Sequence, residues 1–176
     1  MTEKKALIFC SASYNIDPKY NQAAREFVRA ACLHGYTIVS GGTVKGTMGV
    51  VADAVAEFGG RHIGIIPRFM EKLVHPRLDE VIWTDTMSER KVRMLEDAAI
   101  AVTLPGGAGT LDEFFEAMTL AKLGYFDGRL VVYNIDGFYE PLKHILDHFV
   151  EAGTLDSKDR DLVEFPETLD EIISYL

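Results

Sequence analysis

Cysteine is scarce, with only Cys10 and Cys32 in 176 residues. Two thiols cannot build a disulfide framework or a four-cysteine zinc site, so both are expected to be packed, reduced side chains. Positive charge is also short: 18 Lys and Arg stand against 27 Asp and Glu, a net charge of −9. A broad basic face is thereby excluded, and with it adhesion to nucleic acid polymers or to an anionic membrane. No apolar run approaches the roughly 18 residues that cross a bilayer. The opening MTEKKALIFC sets a basic pair before an apolar stretch too short for a signal peptide, which predicts a cytoplasmic protein. Neither GxGxxG after the first strand nor a Walker loop is present, so no dinucleotide dehydrogenase or P-loop enzyme is expected.

What is there reads as a single domain over 1–176, long enough to bury a core without staples. Short β-rich runs alternate with helical stretches, the pattern of an α/β Rossmann-like fold: a doubly wound, mostly parallel sheet with helices on both faces. Strands are predicted at 5–11, 36–40, 61–67, 98–105 and 129–135, with weaker edge strands at 80–85 and 161–166. Helices are predicted near 18–34, 46–58, 87–97, 110–123, 138–151 and 168–175. Gly35 and Gly124 follow two of them where a left-handed residue is wanted. In such a sheet, ligands bind beyond the carboxyl ends of the strands.

Four loops there are unusual: CSASYNIDPKY with its Ser13, SGGTVKGTMG, TMSERK and PGGAGTLDE. Gly106, Gly107 and Gly109, with Ala108 between them and Thr110 after, form a stretch where bare backbone can converge on an anion. Gly41, Gly42, Gly46 and Gly49 suggest a second such stretch. Arg90 and Lys91 lie in the first turn of the helix from Met87, where the macrodipole already presents positive charge. Lys91 also shares a helical face with Met87, Met94, Leu95 and Ala98, the stripe expected to pack inward. A bound phosphate would answer both oddities. TLDE at 110–113 fits a capping box with Thr110 as N-cap and Glu113 at N3, and Thr168 with Glu171 and Thr86 with Glu89 fit equally well. Glu113, opposite an apolar stripe of Leu111, Phe114, Phe115, Met118 and Ala121, is expected to face a cleft or a partner subunit. His144 and His148 have zinc-compatible spacing, but they sit on the wet flank of their helix and no metal is expected.

These residues resemble the Lonely Guy (LOG) family of nucleoside 5′-monophosphate phosphoribohydrolases, formerly labelled lysine decarboxylases. The likeness runs almost end to end. The signature PGGxGTxxE is met by Pro105, Gly106, Gly107, Gly109, Thr110 and Glu113. The segment Met-x-x-Arg-Lys is met by Met87, Arg90 and Lys91, and an upstream glycine stretch by Gly41, Gly42, Gly46, Met48 and Gly49. The resemblance implies a cofactor-free homodimer that cleaves the N-glycosidic bond of a purine or cytokinin nucleotide to free base and ribose 5-phosphate. Arg90 and Glu113 would be the catalytic pair. Gly106, Gly107, Ala108, Gly109, Thr110, Lys91, Gly41, Gly42 and Ser13 would bind substrate. The chain departs from the family pattern at Ser88, Ala108 and Ser40, the last replacing a glycine. The alternative on the same fold is a carrier that binds a nucleotide or molybdenum cofactor without chemistry.

Overall fold

A computed structural model describes residues 4–176. The chain begins with β1 (Lys5–Phe9), α1 (Pro18–Leu33), β2 (Thr37–Ser40), α2 (Gly46–Glu57) and β3 (His62–Pro67). It continues through β4 (Glu80–Thr84), α3 (Met87–Leu95), β5 (Ala98–Thr103), α4 (Ala108–Lys122) and β6 (Arg129–Val132). It closes with α5 (Glu140–Glu151), α6 (Ser157–Arg160), β7 (Val163–Glu164) and α7 (Leu169–Ile173). All seven strands form one parallel sheet in the order β4-β3-β2-β1-β5-β6-β7, an α/β Rossmann-like fold.

The strand sequences explain their places. β1, β2, β3, β5 and β6 are almost wholly buried because both faces are covered. Side chains alternate between two cores: Ala6, Ile8, Ile38, Ile100 and Val102 meet α1, α2 and α7, whereas Leu7, Phe9, Val39, Ile63 and Ile65 meet α3, α4 and α5. The two weaker segments, β4 and β7, are indeed the sheet edges. Gly35 and Gly124 sit past α1 and α4 with φ of 77° and 76°, the left-handed stop that glycine adopts without strain.

Three short elements lie outside the sequence expectation: α6 and the 3-10 turns at Arg68–Leu73 and Ile135–Gly137. Each is too short to carry a periodic apolar stripe. The helix expected from residue 110 begins instead at Ala108.

The winding fixes the site. From β1 the chain builds outward through β2 and β3 to β4, then crosses back to place β5 on the other side of β1. Phe9 is registered with Thr103, so the loops after β1 and β5 leave the sheet side by side and diverge in opposite directions. This is the switch point where an open α/β sheet leaves a crevice.

Candidate active site

A cavity of about 360 Å³ occupies that crevice. Five segments converge on it. Cys10, Ser11, Ala12 and Ser13 come from the loop after β1, and Met48 from α2. Met70 comes from the 3-10 turn after β3, Met87 and Arg90 from α3, and Gly107, Gly109, Thr110, Asp112 and Glu113 from the start of α4.

Arg90 is the anchor. It is 5% exposed although it bears a full charge. Its Nε donates to the Ile65 carbonyl at 2.8 Å, and its Nη2 donates to the Gly41 carbonyl at 3.1 Å. A side chain on Gly41 would collide with the guanidinium and come within 2.8 Å of Met48 Sδ. Glycine at 41 is thus the condition for Arg90 to lie down. The inward face of α3 therefore differs from the expected one: Arg90 and Met94 turn in, while Met87 is 40% exposed at the cleft wall. Two acceptor carbonyls at the sheet edge make burial of a guanidinium possible, which helical periodicity alone cannot foresee.

Lys91 turns the other way. Its Nζ reaches Asp112 at 3.1 Å and also pairs with Glu116, joining α3 to α4. Glu116 first, then Asp112, holds its ammonium above the usual lysine value. The residue sits among α4 carboxylates and not among the cavity-lining groups. Its two acids, one turn apart, flank Glu113, so the bridge fixes the helix that carries Glu113 against the helix that carries Arg90.

Glu113 is no cap. The N-cap of α4 is Gly107, which places Thr110 inside the helix, 4% exposed, and Glu113 nearly a turn further on. Thr110 folds over Gly106, where a side chain would strike it. The bare Gly106 and Gly107 let the helix start early, whereas Thr168, with no glycines before it, forms the full capping box with Glu171. Thr86 caps α3 by accepting from the Glu89 amide at 3.1 Å. Freed from capping, Glu113 faces the cavity. Burial pushes its carboxyl up to about 7, and Arg90 across the cleft is the main opposing pull. In turn Glu113 is the first of the groups that favour the buried charge of Arg90.

The early start of α4 has a second effect. The amides of Ala108, Gly109 and Thr110 lie in its first turn without intrahelical partners, at the positive end of a 15-residue helix. Free amides at the positive end of a helix are the chemistry that suits an anion. Ala108 is exposed at this start, and Gly106 lies beneath Thr110, outside the lining. The other glycine stretch serves a different purpose. Gly41 seats Arg90, a side chain on Gly42 would come within 2.7 Å of the Gly64 Cα, and one on Gly46 within 2.6 Å of the Ala12 and Ser13 backbone. These glycines allow close packing of loops and hold no open nest.

Sequence reading missed the apolar wall. Met48, Met70, Met87 and Cys10 line the cavity, and burial raises the Cys10 thiol well above its usual value, which keeps it protonated. Met48 and Met87 belong to the motifs quoted above, but a methionine beside a helix start reads as core; Met70 lies on a 3-10 turn with no sequence signal. His144 is exposed to solvent and lies 3.6 Å from Glu140. Among the described residues, no three His, Cys, Asp or Glu gather to hold a metal ion, and no helix is long and apolar enough to cross a membrane.

Comparison with known proteins points the same way. A family model described as possible lysine decarboxylase matches residues 48–176. A cytokinin riboside 5′-monophosphate phosphoribohydrolase of Arabidopsis thaliana is 34% identical over 96% of this chain and 80% of its own. One of Rhodococcoides fascians is 33% identical over 92% and 83%. Among solved structures, the molybdenum cofactor carrier protein of Chlamydomonas reinhardtii superposes with a TM-score of 0.76, covering 98% of this chain and 95% of that one. Its identity is 20%, which speaks for the fold alone. The decarboxylase description does not fit the cavity, whose lining includes no lysine to hold pyridoxal phosphate as a Schiff base.

Proposed function

Because the chain belongs to the LOG family, we propose that it hydrolyses the N-glycosidic bond of a purine-type nucleoside 5′-monophosphate, releasing free base and ribose 5-phosphate. The observation that carries this reading is the pairing across one cavity of Glu113, its carboxyl raised to about 7, with a buried, doubly anchored Arg90. A carrier needs an anion seat but neither of these groups.

The chemistry follows from the placement. The phosphate sits on the first-turn amides of α4, the anion seat at Gly107–Thr110. The base lies against Met48, Met70 and Met87, whose soft side chains suit a flat heterocycle. The ribose then falls beside Glu113. As the C1′–N bond breaks, its electron pair leaves with the base and positive charge develops on the sugar. Ionised Glu113 stabilises that charge and takes a proton from the water that adds to C1′; the departing base takes up one proton to become the free base, and Glu113 releases its own to solvent. Arg90 keeps part of the Glu113 population ionised near neutral pH despite burial.

Incubation with AMP and with isopentenyladenosine monophosphate, followed by chromatography, tests the reading: free base appears with the parent and not with Glu113→Gln. Tight binding without cleavage would instead favour a carrier. Assembly as a homodimer belongs to the same reading; Phe115, Leu123 and Ile145, apolar and exposed on α4 and α5, are surface that a second copy could cover. Sedimentation at micromolar concentration distinguishes the two states.

Lys91 carries its own prediction. As it bridges α3 and α4 and does not line the cavity, Lys91→Met is expected to lower the melting temperature by about 2–4 °C, the equivalent of ~1 kcal/mol. KM for the nucleotide stays within about twofold, since only a rim charge is lost. A tenfold rise in KM at unchanged stability would return Lys91 to the phosphate site.

A further inference from the structure

One buried pair lies outside the cleft and is used by none of the chemistry above. Ser40 ends β2 and His62 begins β3, and both are fully buried. His62 Nε2 lies 2.7 Å from Ser40 Oγ, and the Gly42 amide donates to the same oxygen at 3.1 Å. The Gly42 N–H and the Gly41 C=O are the two ends of one planar peptide group. Ser40 holds one end, and Arg90 Nη2 donates to the other. Rotation of that peptide would carry the carbonyl away from the guanidinium. The Gly42 φ of 65° is a left-handed conformation in which the turn is otherwise free to choose its peptide orientation.

We infer that Ser40 and His62 are positioning residues for Arg90: the imidazole fixes the hydroxyl, the hydroxyl fixes the Gly41–Gly42 peptide, and that peptide fixes the guanidinium facing Glu113. This rests on the reading that Arg90 and Glu113 act together. A second observation separates it from simple core packing. His62 Nδ1 is buried with no hydrogen-bond partner. An unpaired polar atom in the interior lowers stability, so an apolar ring would hold the fold as well or better. What an apolar ring cannot do is hold the Ser40 hydroxyl.

The test reads the ionisation of Glu113 by carboxyl carbon NMR of glutamate-labelled protein, with Glu113→Gln identifying the resonance. Parent, Ser40→Ala and His62→Phe are compared, each with its melting temperature. Arg90 is the main group lowering the Glu113 midpoint. Loosening Arg90 is therefore expected to raise that midpoint by about half a unit or more in both variants, although His62→Phe melts no lower than the parent. If cleavage occurs, kcat falls about tenfold with KM within twofold, because neither residue lines the cavity. An unmoved midpoint in either folded variant overturns the inference. Should Ser40→Ala fail to fold, Ser40→Gly takes its place and is held to the same midpoint shift. If the parent cleaves no nucleotide, the hydrolase reading fails, while the midpoint still decides whether Ser40 and His62 position Arg90.

Discussion

At pH 8 the Glu113→Gln variant is expected to be inactive and yet more stable than its parent. The carboxyl has an ordinary value of 4.5 and is raised to about 7 by burial. A group raised in the folded state binds its proton more tightly there than in the unfolded chain. Its contribution is thus fully present below about 4.5 and is lost as the pH climbs through about 7. Above that, the fold carries an ionised carboxylate in a site that disfavours it. At about 1.4 kcal/mol per unit, the penalty is about 3–4 kcal/mol. Glutamine fills the same space without a charge. Its advantage in melting temperature should be close to zero near pH 4 and grow to roughly 6–14 °C at pH 8, measured by circular dichroism. Turnover should drop by about 10²–10⁴-fold, the range for a lost general base. For the parent, kcat/KM should rise with pH through about 7 as Glu113 ionises. A stability difference that does not change between pH 4 and 8 would contradict the burial argument, and retained turnover would remove Glu113 from the chemistry.

The second large effect comes from a residue that touches no substrate. Gly41→Ala adds one carbon beneath the guanidinium of Arg90, where it would collide with Nη2 and press on Met48. Arg90 must lift, and the Ile65 and Gly41 carbonyls lose their donor in a buried setting. Leaving such groups unpaired costs about 1–3 kcal/mol. Turnover is expected to fall by roughly 10²-fold, since displacing a catalytic charge by an ångström is enough for that. Arg90→Lys should behave alike: an ammonium cannot reproduce the planar fork that donates Nε and Nη2 to two carbonyls at once. The pair of variants separates causes. If Gly41→Ala were fully active while Arg90→Lys were not, the seat would be dispensable and only the charge would matter.

Much of this could be read from the sequence, for identifiable reasons. Short β-rich runs alternating with helical stretches marked the strands, and the two weaker runs, at 80–85 and 161–166, became the sheet edges β4 and β7. The glycine loop before Thr110 and the cations of α3 pointed to the right end of the sheet. The roles within that loop did not follow. TLDE reads as a capping box because local spacing is all a sequence offers, yet two glycines upstream let α4 begin at Ala108, so Thr110 is not the cap; the position of Glu113 opposite the apolar stripe did foretell that it faces the cleft. Lys91 looked inward, and the burial of Arg90 was not foreseen, because a helical wheel cannot see the carbonyls of Ile65 and Gly41. These are contacts between distant segments, and they outweigh local preference.

In the sheet the two walls of the cleft are joined through β1 and β5, neighbours although α1, β2, α2, β3, β4 and α3 all lie between them in the chain. Such a pairing closes a long loop before any contact rewards it, which makes it a late step of folding. Nucleotide affinity regained after dilution from denaturant should therefore lag behind the recovery of helical signal. A partly assembled chain has helices but no cleft, so a growing polypeptide cannot engage nucleotide before β5 has inserted beside β1.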